Sequence, residues 1–189
     1  LILLSSSIPI SLGYNVKYIH KCKIFDLSGY TLYVGGTGPN NYSSIQEAVN
    51  DSVDGDTIFV YSHSSPYKEY IRIEKSIRLI GEYKNNTIIE GGWDHLVYIR
   101  GSNVTVTGFT IRDCGWYYSG GISLSSHSNN NNIFGNIFTE NIVHGIDVAS
   151  DNNNIFDNIF YKNRNGIYII EGKNNLITNN LFESNNGSG

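Results

Sequence analysis

The sequence predicts an all-β protein: a single-stranded, right-handed parallel β-helix wound in coils of about 22 residues, with one short N-terminal capping helix. Two observations carry this. Asn132-Ile133-Phe134-Gly135-Asn136-Ile137-Phe138 returns as Asn154-Ile155-Phe156-Asp157-Asn158-Ile159-Phe160, and more loosely as Asn175-Leu176-Ile177-Thr178-Asn179-Asn180-Leu181-Phe182. The apolar residues of these repeats are Ile, Val and Phe in short runs broken by Asn, Gly and Ser, a pattern of strands and tight turns with no helical stretch inside a coil.

Stacking the repeats places Val106, Ile133, Ile155 and Ile177 in one inward column and Ile111, Phe138, Phe160 and Phe182 in another. Each such side chain contributes roughly 1.5–3 kcal/mol when buried, which no coil achieves alone. A third column, at a bend, holds Cys114, Asn141, Asn163 and Asn185, where stacked amides are expected to form a hydrogen-bonded ladder. Gly121-Ile122, Gly145-Ile146 and Gly166-Ile167 then start the next face. Asn129 to Asn132 and Asn152 to Asn154 read as an outward ladder of turn residues.

In chain order, residues 1–12 resemble the remnant of a secretory signal, residues 13–29 are poorly patterned, and residues 30–189 form the β-helix, whose winding is expected to continue past Gly189. Thr31-Leu32-Tyr33-Val34 is the first strand. Ser44-Ile45-Gln46-Glu47 offers a capping box, and Ile45, Ala48 and Val49 give the helix a short apolar face with which to cover the first coil. Asp54-Gly55-Asp56 turns the chain into Thr57-Ile58-Phe59-Val60-Tyr61. From there Ile71-Arg72-Ile73, Ile77 to Gly81, Thr87-Ile88-Ile89, Leu96 to Ile99 and Asn103 to Val106 continue the winding.

With net charge −4 and its acidity scattered, the chain has no electrostatic case for nucleic acid. Fourteen Tyr, 20 Gly and only 16% charged residues suit an extracellular, cell-surface or periplasmic β-protein with no membrane span in its mature form. Cys22 and Cys114 lie far apart, one in the leader and one at a core turn, which argues against a disulfide. Gly35-Gly36-Thr37-Gly38 lacks the following Gly-Lys-Ser/Thr of a phosphate loop, and no cofactor is expected.

The runs Tyr42 to Val49, Asp54-Gly55-Asp56-Thr57-Ile58, Tyr67-Lys68-Glu69 and Lys75 to Glu82 resemble the start of β-helix proteins of the pectin lyase-like superfamily, pectin methylesterases included. The later Asn-rich repeats resemble the NosD-like and carbohydrate-binding/sugar-hydrolase β-helix repeats. These motifs wind and cap the fold without doing chemistry. The Gln-Asp-Thr, Asp-Phe-Ile-Phe-Gly and Gly-Arg-x-Trp runs of the methylesterases are missing, and polygalacturonase motifs are approached only by Val143-His144-Gly145 and Arg72-Ile73-Glu74. The NosD resemblance implies copper handling, but the chain has no Met, and His20, His63, His95, His127 and His144 show no ligand spacing, so no metal site is expected.

The register itself points to candidate site residues. One step past the Ile111/Phe138 column stand Arg112, Thr139, Tyr161 and Glu183, and two steps past it Asp113, Glu140, Lys162 and Ser184. Asp113 and Glu140 are thus expected roughly 5 Å apart on adjacent coils, the separation of a retaining glycosidase pair, with Arg112 and Lys162 nearby. The competing reading is a surface charge ladder. The Asp113 coil is about five residues longer than its successors, and the excess, Gly115 to Ser119, carries Trp116, Tyr117 and Tyr118. These rings, with Trp93, Asp94 and His95 in the preceding turn, would form a glycan subsite of stacking faces and hydrogen-bonding groups. Ser123, Asp147 and Tyr168 form a second outward column with no role assigned. The expected activity is polysaccharide or glycan binding, with a polysaccharide hydrolase or lyase, or an architectural NosD-like accessory repeat of the envelope, as alternatives.

Overall fold

A computed structural model describes residues 29–92, 94–115 and 120–187. The chain winds as a parallel β-solenoid of three sheets, every paired strand parallel to its neighbours in the coils before and after. The first sheet has seven strands, Thr31–Val34, Thr57–Val60, Arg78–Gly81, Thr105–Thr107, Asn132–Phe134, Asn154–Phe156 and Leu176–Thr178. The second has five, Ile88–Gly92, Thr110–Cys114, Ile137–Thr139, Ile159–Tyr161 and Leu181–Glu183. The third also has five, Ile71–Ile73, Val97–Ile99, Gly120–Leu124, His144–Val148 and Asn165–Ile169.

The predicted inward columns stack in the predicted register. Leu79, Val106, Ile133, Ile155 and Ile177 pair in sequence, as do Ile111, Phe138, Phe160 and Phe182. Phe138 stacks on Phe160 and Phe160 on Phe182 at 4.9 Å, with ring planes 9° apart. Gly145 is what lets these rings sit flat, because a Cβ there would lie 2.6 Å from the Phe160 ring and from the Gly166 carbonyl oxygen. Ile177 and Phe182, on the last described coil, remain 37% exposed.

At the other end the helix Ile45–Asp51 buries Ile45, Ala48 and Val49 over the first coils. Its start is held from outside itself: the Glu69 carboxylate accepts from the backbone N–H of Ile45 and Gln46 at 2.9 Å and from the Ser44 hydroxyl at 2.7 Å. Ser44 Oγ in turn accepts from Glu47 N–H, as the capping-box pattern predicts. One helical turn does occur within a coil, the 3₁₀ segment Ser62–Ser64, contrary to the expectation of none. Three residues bounded by Tyr61 and Ser65 are too few to show a helical period in sequence.

The asparagines form three ladders where one was expected. Asn131, Asn153 and Asn175 line one corner, Asn136, Asn158 and Asn180 the second, and Asn141, Asn163 and Asn185 the third. In each, the backbone N–H and side-chain amide of one Asn donate to the side-chain oxygen of the Asn one coil on. Asn131 and Asn153 are therefore buried rungs and not part of an outward ladder; Asn132 and Asn154 do pair outside them at 2.9 Å. The reason is that a buried corner leaves backbone N–H groups without strand partners, and an inward Asn satisfies them.

Candidate functional site

Each corner is built from two residues: one in left-handed backbone conformation, then the buried Asn. The left-handed positions are Asn130, Gly135 and Glu140 in one coil, Asn152, Asp157 and Lys162 in the next, and Asn174, Asn179 and Ser184 in the last. Two corners thus use Asn, Asp and Gly, the residues that tolerate positive φ. The third, after the second sheet, uses Asp113 (φ 59°), Glu140 (φ 57°), Lys162 (φ 55°) and Ser184 (φ 54°). Glu and Lys are not among the residue types that visit this conformation readily, so they sit at a cost of about 1 kcal/mol or more each.

Asp113, Glu140 and Lys162 accordingly occupy the same position of successive coils, as the register predicted. The Glu140 N–H donates to the Tyr161 carbonyl, and the Lys162 ammonium lies 4.9 Å over the Tyr161 ring. A groove of about 850 Å³ opens along this corner, lined by Glu140, Ile142, Lys162, Arg164, Ser184 and Asn186, among others. Arg112 is drawn elsewhere. Its Nε donates to Glu90 at 2.8 Å, and it approaches Asp113 only at 3.5 Å, so its main partner is on the preceding coil. The hydrogen bond from Arg112 holds the Glu90 carboxyl below the usual carboxylate range and raises the guanidinium in turn. Glu90 was not among the expected site residues, although its place one coil before Arg112 in the same column was readable.

Trp93, Trp116, Tyr117 and Tyr118 lie outside the described residues, as do the predicted signal remnant and Cys22. Asp94 is exposed, and its backbone carbonyl accepts from the Cys114 thiol at 3.1 Å. The His95 side chain belongs to the third sheet: its ring stacks on Tyr98 at 5.6 Å, and its Nδ1 accepts from Gly120 N–H at 3.1 Å.

The third sheet carries a second cluster. Ser123, Asp147 and Tyr168 form the expected column, which Tyr98 extends by one coil, but Asp147 is buried and not outward, its side chain 5% exposed. Its Oδ2 lies 3.8 Å from His95 Nδ1, and its Oδ1, 3.7 Å from His144 Nε2, has no hydrogen-bond partner. Burial pushes the Asp147 carboxyl up to about 7, against a hydrogen bond from the Gly120 backbone, and pushes both His95 and His144 down. Periodicity hides this, because Asp147 follows the strand's alternation as an outward residue; a lone carboxylate in so neutral a column, Ser123 to Tyr168, was the available signal.

Stacked coils, asparagine-laddered corners and a polar groove along one of them define a parallel β-helix. Residues 49–189 match the family described as periplasmic copper-binding protein (NosD), and the chain belongs to that family. With it comes a periplasmic or cell-surface location. No curated protein matches the chain. No helix among the described residues is long and apolar enough to cross a membrane.

The described residues do not fit a copper ion. Among them no group of three or more His, Cys, Asp and Glu is placed to hold a metal, and the chain contains no Met. The nearest approach, His95, Asp147 and His144, keeps its nitrogens and oxygens 3.7–3.8 Å apart, with His95 Nδ1 occupied by Gly120 N–H and His144 Nδ1 2.9 Å from the Asn165 amide.

Proposed function

We propose that the chain is a NosD-like accessory repeat of the cell envelope, a non-enzymatic β-helix that holds a polysaccharide along the corner formed by Asp113, Glu140 and Lys162. One observation carries this reading. At the two other corners of the same coils the left-handed position is filled by Asn, Gly or Asp, while this corner keeps Glu140 and Lys162 at a conformational cost. A charged pair retained where a cheaper residue would serve the fold supports a role in recognition. Carboxylates and ammonium groups on a groove hydrogen-bond sugar hydroxyls, and Arg164 and Ser184 extend the same polar strip. Arg112 then acts as a support, pairing with Glu90 behind Asp113. The rings of Trp93, Trp116, Tyr117 and Tyr118, with Asp94, are the proposed stacking subsite at the long coil, while the His95 ring is taken up by Tyr98 and Gly120 N–H beside Asp147.

The test is retention on a panel of neutral and acidic polysaccharides, followed together with release of shortened or unsaturated sugars. Retention without release, weakened at least fivefold in a Glu140→Asn/Lys162→Asn variant of unchanged fold, supports an accessory binder. Release that vanishes in Asp113→Asn would instead establish a hydrolase or lyase. Neither signal would leave a purely architectural repeat.

A further inference from the structure

The Asp147 cluster lies on a different sheet from the proposed polysaccharide corner and stands independently of that reading. It spans three coils: His95 and Tyr98 on one, Gly120 and Ser123 on the next, His144 and Asp147 on the third. Gly120 makes the arrangement possible, since a Cβ there would lie 2.9 Å from the Asp147 carboxylate oxygen. The rings flank it, His95 parallel to Tyr98, and His144 parallel to Tyr168 at 4.5 Å. The orphaned Oδ1 is buried, so what reaches it is a proton and not a ligand. The other charged groups bearing on the cluster are Asp94, 3.8 Å from His95 Nε2 and solvent-exposed, and Arg164, which acts on His144. Among the described residues no Lys or Arg forms an ion pair with Asp147.

We propose that Asp147, His95 and His144 form a proton-operated latch that locks the third sheet across three coils while the cluster holds one proton, and loosens it when that proton leaves. With the proton held, whether on the carboxyl or on a neighbouring imidazole, the buried carboxyl is either neutral or faces an imidazolium. Once the proton is lost to solvent, an unpaired carboxylate is left in a nearly dry site between two neutral rings. The sheet relieves that by letting water in, and the Gly120, Ser123 and Asp147 rungs are where it enters. Burial has already raised the carboxyl to about 7, which puts the change within the range a periplasmic protein meets. The three groups interact, so the midpoint at which the last proton leaves belongs to the cluster and not to any one residue.

Hydrogen exchange of the intact chain at pH 6.0 and pH 8.5, corrected for the intrinsic base catalysis of exchange, tests it. Amides of Gly120–Leu124 and His144–Val148 are expected to lose protection about tenfold or more at the higher pH, while those of Asn132–Phe134 and Asn154–Phe156 on the first sheet are unchanged. Asp147→Asn, which keeps the shape but cannot ionise, should abolish the difference. His144→Phe keeps the stack on Tyr168 and serves as the second variant, expected to move the midpoint without removing it. Protection that falls equally on the first and third sheets, or that falls in Asp147→Asn as in the parent, would overturn the proposal. So would carboxyl and imidazole signals of Asp147, His95 and His144 that all titrate below pH 5 in a folded chain.

Discussion

The early coils and the late coils solve the same closure problem with different chemistry. The stacked positions Leu32, Ile58, Leu79, Val106 and Ile133 are separated by 26, 21, 27 and 27 residues, whereas Ile133, Ile155 and Ile177 advance by 22 each time. Where spacing is regular, one Asn per corner per coil satisfies the backbone, and three ladders run unbroken. Where spacing varies, the inward column still stacks but no single residue type recurs at the corners, and individual side chains take over: Glu69 at the helix start, Asp56 accepting from Tyr30 and Val53 N–H, and Lys75 donating to Val49, Asn50 and Ser52 carbonyls. The ladders begin at the boundary, where Val104, Phe109 and Cys114 still donate their backbone N–H to the first Asn of each column. Regular length thus permits a repeated solution, and irregular length demands local ones. Both candidate sites lie at or just past that boundary.

The contrast can be broken most severely from the regular side. Phe160→Ala removes the middle ring of the buried stack and is expected to cost about 3–5 kcal/mol, measured by chemical denaturation. Asn158→Ala strips a ladder rung that accepts from Asn136 N–H and amide and donates to the Ile133 carbonyl, leaving buried groups unpaired. Its expected cost is about 1–3 kcal/mol, and an equally large loss should follow at Asn136 but not at the outward Asn154.

On the irregular side the effects should be smaller. Ser44→Ala loses both the cap to Glu47 and the bond to Glu69 and should cost about 1 kcal/mol, read from the melting temperature. Glu140→Asn, in the regular coils, should move the other way, gaining about 1 kcal/mol by placing a tolerant residue at φ 57° while weakening polysaccharide retention. A variant that gains stability and keeps retention would detach the corner from function. The smallest change is expected for Glu90→Gln, under about 1 kcal/mol, because Arg112 remains substantially exposed.

A pH melt separates the two sites as well. For Asp147 the folded value lies above the ordinary one, so between about pH 4 and pH 7 the folded state binds the extra proton and stability falls as pH rises. His95 and His144, held below their ordinary value, oppose this on the acid side, where stability falls as pH drops through their folded range. The difference between the parent and Asp147→Asn melts isolates the carboxyl, and it should grow toward high pH.

Periodicity in the amino-acid sequence was enough to determine the coil, its register and the stacked identities of Asp113, Glu140 and Lys162, because a parallel solenoid puts residues one repeat apart next to each other whatever their chemistry. It also determined one ladder and the helix that covers the first coil. What periodicity does not encode is how deep a residue lies or which neighbour claims it. Arg112 turned to Glu90 because that carboxylate sat nearer than Glu140, and Asn131 and Asn153 turned inward because a left-handed residue precedes each. Only the tertiary structure decided that Asp147 would be buried between two imidazoles. That environment is assembled from three coils of unequal length, and solvent exclusion, which sets the protonation of a carboxyl, is a property of the assembly and of no single repeat.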